Sequence, residues 1–201
     1  RILSALNYAY FLGFLALGVT FVIATGGIDF SIGPVMFCSA LIAGYLLTKS
    51  GVPLILALLI SILTGAAFGC LNGYLVAYWN LPSFITSMAS MMLAKGIGSV
   101  FTKTQSVSWP QASQENGSFR MLVKITTSDG TQIPAGLIVL IVISIICAVV
   151  LNKTKIGRYI LCLGSNKEAV RLSGVNVKKW EMLAYIICGM LAGMAAIAYV
   201  G

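Results

Sequence analysis

Long uncharged stretches dominate the chain, and the polar positions are concentrated between them. Charged residues are absent from five runs, at 2–28, 30–48, 50–94, 130–152 and 182–201. A helix needs about 20 residues to cross the hydrocarbon core of a bilayer, so each run has room for at least one span. Glycine pairs and prolines divide the runs further and predict six transmembrane helices, at about 3–24, 30–48, 53–76, 82–101, 134–151 and 182–201. The predicted fold class is therefore all-α, a polytopic integral membrane protein.

The composition excludes several classes of function. Hydrophobic residues make up 59% of the 201 residues and charged residues only 9%, against about 25% charged residues in an ordinary globular domain. The net charge is +8, but the cations lie between apolar spans rather than on a water-exposed basic face, so we expect no nucleic-acid partner. The chain has no histidine, which removes His-based metal sites and Ser-His-Asp triads. We expect no catalytic residue, no metal and no cofactor.

The charges also predict which loops face the cytoplasm. The stretch 152–181 contains seven Lys and Arg residues against two Glu, and the positive-inside rule places it in the cytoplasm. Counting back one helix at a time puts 102–133 outside and the Gly26-Gly27 turn inside. Apolar sequence reaches both ends of the chain, which predicts a single transmembrane domain over 1–201 that is a fragment of a longer helical domain.

A turn motif, Thr25-Gly-Gly-Ile-Asp-Phe-Ser-Ile-Gly-Pro34, separates the first two predicted helices. Gly26 and Gly27 permit a tight reversal, and Asp29 or Ser31 can cap the next helix. Two interpretations of Asp29 stay open. It is either an intramembrane carboxylate that lines a solute path or handles protons, or a structural cap near the inner surface.

The basic stretch contains a predicted short helix, at about 166–173. Ser165 and Glu168 have the spacing of a capping box, and Gly174 can end the helix. Its apolar and charged positions suit insertion into a groove on a soluble partner, although a helix lying on anionic lipid is equally compatible. The apolar positions are Ala169, Val170 and Leu172, and the charged positions are Lys167, Glu168 and Arg171.

Glycines spaced by four residues predict close helix packing. They occur at 65, 69 and 73 and again at 189 and 193. Such small-residue faces let helix backbones approach each other in lipid. The pattern favours packing within the chain, with a subunit interface as the alternative.

Several of these segments together resemble the permease subunits of bacterial ABC importers of the ribose/galactose/simple-sugar class, a family that also includes branched-chain amino acid permeases. LGVTFVIATGGIDFSIG at 17–33 resembles the hallmark LGMTFVILTGGIDLSVG. Further agreement lies at 71–77, 81–86, 156–160 and 172–177. The family's ATPase-contacting loop has a Glu-Ala-Ala-xxx-Gly pattern, matched here by Glu168, Ala169 and Gly174, with Val170 in place of the second Ala.

The resemblance implies a transport subunit in the bacterial cytoplasmic membrane that imports a monosaccharide or similar small polar solute. ATP would be hydrolysed on a separate ABC ATPase, and no GxxxxGK[ST] phosphate loop occurs in the chain. The implied partners are that ATPase, an extracytoplasmic solute-binding protein, a second permease subunit in a homo- or heterodimer, the sugar and membrane lipid. The residues expected to couple the permease to the ATPase are Glu168, Ala169, Arg171 and Gly174. The residues expected to form a structural break or part of the pathway are Gly26, Gly27, Asp29 and Ser31.

Polar residues in or beside the predicted helices are candidates for lining the pathway: Asn7, Thr20, Thr25, Ser31, Ser39, Asn72 and Tyr74. The outer stretch 102–133, with Trp109, Phe119 and an Asp129-Gly130 turn signal, predicts a hairpin or short helix against the binding protein, or a solvated loop. Three other functions stay open: a secondary transporter coupled through Asp29, a branched-chain amino acid permease, and a scaffold without a pathway.

Overall fold

The computed structural model describes residues 2–111, 116–123, 125–126, 132–133 and 135–201. Seven α-helices occur in these residues, and a 3-10 helix, Gly117–Leu122, precedes two antiparallel strands, β1 (Ile125–Thr126) and β2 (Gln132–Ile133). The helices are α1 (Ile2–Ala24), α2 (Ile32–Lys49), α3 (Leu54–Trp79), α4 (Ser83–Phe101), α5 (Ala135–Lys153), α6 (Lys155–Leu172) and α7 (Val177–Val200).

The predicted all-α membrane fold is confirmed. Five helices, α2, α3, α4, α5 and α7, are long and apolar enough to cross a membrane. The remaining predicted span, at 3–24, corresponds to α1, which has 23 residues and is apolar over Ala9–Ala24. Most boundaries agree within three residues. Pro53 and Pro82 directly precede α3 and α4, and Pro134 lies outside the described residues.

The structure differs from the prediction mainly within 152–181, which contains α6 and the beginning of α7. Because this stretch is rich in charged residues, hydrophobic runs do not predict α6 or the first turn of α7. Capping side chains mark where each of these two helices begins. The Thr154 hydroxyl accepts a 3.3 Å hydrogen bond from the N–H of Gly157 before α6. Asn176 accepts one of 3.2 Å from the N–H of Lys179, so α7 begins at Val177 instead of 182.

The closest packing in the bundle joins α3 to α7, with glycines facing each other. A Cβ atom on Gly69 would lie 3.0 Å from Cα of Ile186 and closer still to the carbonyl oxygen of Tyr185. Gly65 and Gly189 meet in the same way. The Ser61 hydroxyl adds a 3.0 Å hydrogen bond to the carbonyl oxygen of Gly193. The spaced glycines therefore pack two helices of the same chain, as the favoured interpretation predicted.

The two ends of the bundle collect the segments that the charge analysis assigned to opposite sides. At one end, which we call the basic end, the N–H of Ile28 donates a 3.1 Å hydrogen bond to the Ser83 hydroxyl, and Gly164 of α6 packs against the carbonyl of Ala24. At the other end, the indole N–H of Trp109 donates a 3.2 Å bond to the carbonyl oxygen of Ala40. The turn at 25–31, the start of α4 and the 152–181 stretch thus share one end.

The outer stretch contains both a short helix and a strand pair. Trp109 and Phe119 are buried and their rings lie 5.2 Å apart. The Arg120 guanidinium donates to the carbonyl oxygens of Pro110 and Gly201, at 2.8 and 3.0 Å. The predicted turn at Asp129-Gly130 lies outside the described residues.

We expect Gly69→Ala to destabilise the protein, because the added methyl group meets the backbone of α7 and cannot be accommodated without separating the helices. Overpacking of this kind costs about 1–3 kcal/mol. Thermal unfolding of the detergent-solubilised protein, followed by size-exclusion chromatography, measures the effect.

The matched control is Gly96→Ala in α4, where a Cβ would meet nothing within 4 Å. It should keep the unfolding temperature or raise it, because alanine favours the helix by about 1 kcal/mol over glycine. Equal effects of the two substitutions would contradict the assigned role of the α3–α7 contact.

Candidate functional site

A short helical segment at 166–174 projects from the basic end of the bundle. Asn166 has non-helical dihedral angles (φ −155°, ψ 95°) within α6, so the helix breaks there and starts again. The Asn166 Oδ1 accepts a 2.9 Å hydrogen bond from the N–H of Ala169, which is the bond that an N-cap makes. At the far end, Gly174 has φ +80°, a conformation that favours glycine and ends the helix as predicted.

The predicted capping box between Ser165 and Glu168 is wrong. Asn166 is the capping residue, and the Glu168 carboxylate bonds Arg171 instead of the backbone: the Arg171 Nε and Nη2 donate to it at 3.0 and 2.5 Å. The hydrogen bond from Arg171 lowers the pKa of Glu168, and the same bond raises the pKa of Arg171. Both side chains are more than 60% exposed, so the pair adds little stability and both groups remain accessible to a partner.

A second ion pair ties the 166–174 segment to the start of α7. The Lys167 Nζ donates to both carboxylate oxygens of Glu181, at 2.8 and 2.7 Å. The Glu181 side chain is only 9% exposed, whereas that of Lys167 is 47% exposed. A buried carboxylate that lost its cation would carry an uncompensated charge, so this pair contributes more than the exposed one.

The apolar side of the segment is divided between the bundle and the surrounding solution. Val170 is buried and packs with Leu163 and Val177. Ala169 is exposed, and Leu172 is 77% exposed. An adjoining cleft of about 550 Å³ is lined by Ala77, Asn80, Lys167, Glu168, Arg171 and Val175–Lys178. The segment therefore presents alanine, leucine and a charged rim next to a cleft, while valine anchors it.

The turn motif places Asp29 in a buried polar cluster. Asp29 is 7% exposed, and its Oδ1 accepts from the N–H and the hydroxyl of Ser31, at 2.8 and 2.6 Å. Gly26 has φ +83°, and a Cβ on Gly27 would lie 2.5 Å from the Tyr185 hydroxyl. Both glycines are thus required by geometry, the first by its conformation and the second by close packing.

The cluster extends across three helices through Asn72. The Asn72 Nδ2 donates to the Ser31 hydroxyl at 2.9 Å and lies 3.4 Å from the Asp29 Oδ2. The Ser90 hydroxyl of α4 in turn donates to the Asn72 Oδ1. Asn72 and Ser90 are each 1% exposed. The cluster links the start of α2 to α3 and α4, and its donors and acceptors satisfy one another.

Neither of the two predicted capping side chains, Asp29 or Ser31, bonds an N–H group of α2. The Asp29 carboxylate bonds the N–H of Ser31, directly before the helix, while the Ser31 side chain makes no capping bond to α2. Both capping predictions for α2 are therefore wrong. The Ser31 hydroxyl instead donates to the Asp29 carboxylate and accepts from the Asn72 amide.

The other candidate lining residues do not join this cluster. Thr20 and Thr25 bond carbonyls of their own helix, those of Ala16 and Val22. Ser39 is fully buried, and Tyr74 is exposed and stacks on Tyr78. The side chain of Asn7 lies outside the described part of the chain.

Two contacts of the candidate sites were not predicted from the sequence. The pairing of Lys167 with Glu181 joins residues fourteen positions apart, across a turn that breaks the helical repeat. Ser90 is one of several small polar residues in α4, and the sequence contains no signal that distinguishes it from Ser83, Ser87 or Ser99.

We expect Ser90→Ala to destabilise the bundle, because the buried carbonyl of Asn72 would lose its donor. Leaving a buried acceptor unsatisfied costs about 1–3 kcal/mol. Thr20→Val is the matched control, since Thr20 is exposed and bonds only its own helix, and it should change the unfolding free energy by less than about 0.5 kcal/mol. Unfolding in detergent compares the two, and a loss in the control as large as in Ser90→Ala would refute the ranking.

Comparison with known proteins finds relatives that match most of this chain. FruG, the fructose import permease protein of Bifidobacterium longum (strain NCC 2705), is 32% identical over 197 residues, which cover 96% of this chain and 57% of that protein. RbsC, the ribose import permease protein of Escherichia coli (strain K12), is 32% identical over 183 residues, covering 91% and 56%. RbsC of Bacillus subtilis (strain 168) is 32% identical over 196 residues, covering 97% and 58%. No solved structure gives a significant match.

The chain thus spans between half and three-fifths of the length of these relatives. Their names agree with the resemblance that the turn motif and the basic stretch suggested. The predicted location, in the bacterial inner membrane with several spans, agrees with these relatives and with five membrane-capable helices. A family model described as "Branched-chain amino acid transport system / permease component" matches residues 1–201, and the chain belongs to that family.

Proposed function

We propose that the chain is part of the transmembrane permease of an ATP-driven importer of a monosaccharide or related small polar solute. The permease supplies the pathway through the membrane, and a separate ABC ATPase supplies the energy. An extracytoplasmic binding protein delivers the solute, and a second permease subunit, identical or different, completes the pathway. No residue of this chain reacts chemically with the solute.

The 166–174 segment is the observation that carries this proposal. It exposes Ala169 and Leu172 beside the Glu168–Arg171 pair, a size and chemistry that suit a groove on a soluble protein. An exposed apolar side chain at the membrane surface also suits lipid, but the ion pair of Lys167 with buried Glu181 ties the segment to a membrane-spanning helix. A partner that moves the segment therefore acts directly on α7.

The choice of solute class rests on the relatives. Proteins named as ribose and fructose import permeases are 32% identical over most of this chain. The family description names branched-chain amino acids. The uptake test below therefore includes leucine, a branched-chain amino acid, beside the sugars.

Uptake into vesicles tests the proposal. The vesicles contain the full-length subunit with its ATPase and binding protein, and labelled ribose, fructose, galactose and leucine are supplied with and without ATP. We expect ATP-dependent uptake of one sugar. Uptake driven by a proton gradient without ATP would favour a secondary transporter coupled through Asp29, and ATP-dependent uptake of leucine alone would replace the sugar by an amino acid. The absence of any uptake would favour a scaffold.

We expect Lys167→Glu to weaken both ATPase association and ATP-dependent uptake. The substitution leaves buried Glu181 without its cation and brings a second carboxylate beside it, at a cost of about 1–3 kcal/mol after allowance for the exposure of Lys167. Co-purification of the ATPase and initial uptake rates measure the two effects.

The exchange variant Lys167→Glu/Glu181→Lys should recover part of both, because the pair is restored with its charges reversed. Lys153→Glu, an exposed cation at the end of α5 with no carboxylate partner in the described residues, should change neither. Failure of the exchange to recover anything, with normal folding, would show that the pair itself does not transmit the coupling.

A further inference from the structure

Lys95 places a positive charge inside the span of α4. It lies six residues before the last residue of the helix, Phe101, which at 1.5 Å per residue is about 9 Å from that end. A hydrocarbon core is about 30 Å thick, so Lys95 lies within its outer third. Charged residues at this depth in membrane proteins face a partner or a water-filled space, because exposure to lipid tails is costly.

No partner for Lys95 is found in the described part of the chain. The three described carboxylates are engaged elsewhere: Asp29 with Ser31 and Asn72, Glu168 with Arg171, and Glu181 with Lys167. The Lys95 side chain is exposed and makes no hydrogen bond to the described residues. The ammonium group therefore has three donors that bond no acceptor among the described residues.

Lys95 lines a groove between α2 and α4 that differs from the other side of the same helix. The groove has a volume of about 570 Å³ and extends from Gly33 and Pro34, at the basic end, to Thr104 and Gln105 beyond the outer end of α4. A Cβ on Gly33 would meet nothing within 4 Å, so there is space beside this residue. The wall of the groove is mainly apolar, and its accessible polar side chains, Lys95, Ser99, Thr104 and Gln105, lie toward the outer end of α4. Thr102 also lines this part, but it is buried and its hydroxyl donates to the carbonyl oxygen of Gly98.

The opposite side of α4 carries a second groove that is apolar throughout. Its lining residues are Ala89, Met92, Leu93, Gly96, Ile97, Val100 and Phe101. Lipid tails or another apolar helix match that surface. At the same depth, the two sides of α4 therefore differ in chemistry: of the two grooves, only the one between α2 and α4 is lined by a charged residue.

We propose that the α2–α4 groove forms one wall of the water-filled solute pathway, and that Lys95 is a specificity-determining residue that donates hydrogen bonds to the oxygens of a polyhydroxylated solute. The inference rests on the proposed transport function and deepens it. An ammonium group offers donors and no acceptor, so it selects solutes whose oxygens accept, and it repels cations. A volume of 570 Å³ lies within the range of about 300–1,000 Å³ typical of small-molecule sites.

Thiol labelling tests whether the groove contains water, independently of any solute. In the assembled full-length transporter, with the native cysteines replaced, Lys95→Cys is compared with Ile97→Cys. Ile97 lies two residues further along α4, at almost the same depth, but lines the apolar groove and is 46% exposed. We expect a membrane-impermeant methanethiosulfonate reagent to label Lys95→Cys at least tenfold faster, and the transported sugar to slow that labelling.

Three outcomes would overturn the proposal. Equal labelling rates for Lys95→Cys and Ile97→Cys would show that neither side of α4 is selectively exposed to water. An unreactive Lys95→Cys would place the position in lipid, where the native lysine extends to the headgroups. A disulfide between the Lys95→Cys residues of two copies would place the position at a subunit contact.

Transport kinetics test the role of the ammonium group itself. We expect Lys95→Met to raise KM for the sugar about tenfold or more, because a hydrogen bond from a charged donor is lost, while Lys95→Arg should recover most of the affinity. Lys103→Gln removes an exposed cation just beyond α4 and should leave KM unchanged. ATPase co-purification should stay normal in all three, because their changes lie far from the basic end.

The two hypotheses can fail separately. If the native protein transports a sugar and Lys95→Met leaves KM unchanged, the specificity role is refuted while the importer function stands. If the native protein shows no ATP-dependent uptake but Lys95→Cys is labelled selectively, the importer function fails and the wet groove remains.

Discussion

The arrangement of the whole bundle depends on the backbone contact between α3 and α7. Lipid offers no hydrophobic advantage to helix association, so close packing has to hold these helices together. Glycines at 65, 69 and 189 allow the two backbones to touch, and any side chain at these positions would intrude on the opposite helix. A fixed α3–α7 pair then gives the remaining helices a common surface, and its two members carry the groups on which both candidate sites rely.

Each helix of this pair carries one key polar side chain. Asn72 of α3 joins Asp29, Ser31 and Ser90 in the cluster that links α2 and α4. Glu181 of α7 holds Lys167 and, through it, the 166–174 segment. Met182, the residue after Glu181, lies against Gly73 of α3, with Cα 2.9 Å from where a Cβ on that glycine would be. A displacement of the segment therefore reaches the tightest contact of the bundle through one ion pair and one residue.

The sequence predicted the elements that depend on periodicity and composition, and it failed where an interaction depends on the chain folding back. The uncharged runs predicted the spans. The spacing of Gly65, Gly69 and Gly73 predicted a close-packing face on α3, although it did not indicate which helix packs there. The first part of α6, at 155–165, was not predicted as a helix, because its charges mask its apolar positions, whereas the part after Asn166 was predicted. Ser165 and Asn166 are both acceptable caps, and only the backbone geometry decides for Asn166. Pairs such as Ser90 with Asn72 depend on helix rotation, which no local pattern specifies.

Polar groups are scarce in this chain, and those within the bundle differ in whether they have bonding partners. The Asp29 cluster is buried and internally satisfied, so opening it would leave several donors and acceptors unpaired. Such a cluster favours one arrangement of α2, α3 and α4. Lys95 has the opposite character, because it is exposed at membrane depth and no bond in the described residues holds it. The proposed transport function would use both kinds of group: the satisfied cluster holds three helices together, and the unbonded ammonium group is available to the oxygens of a solute.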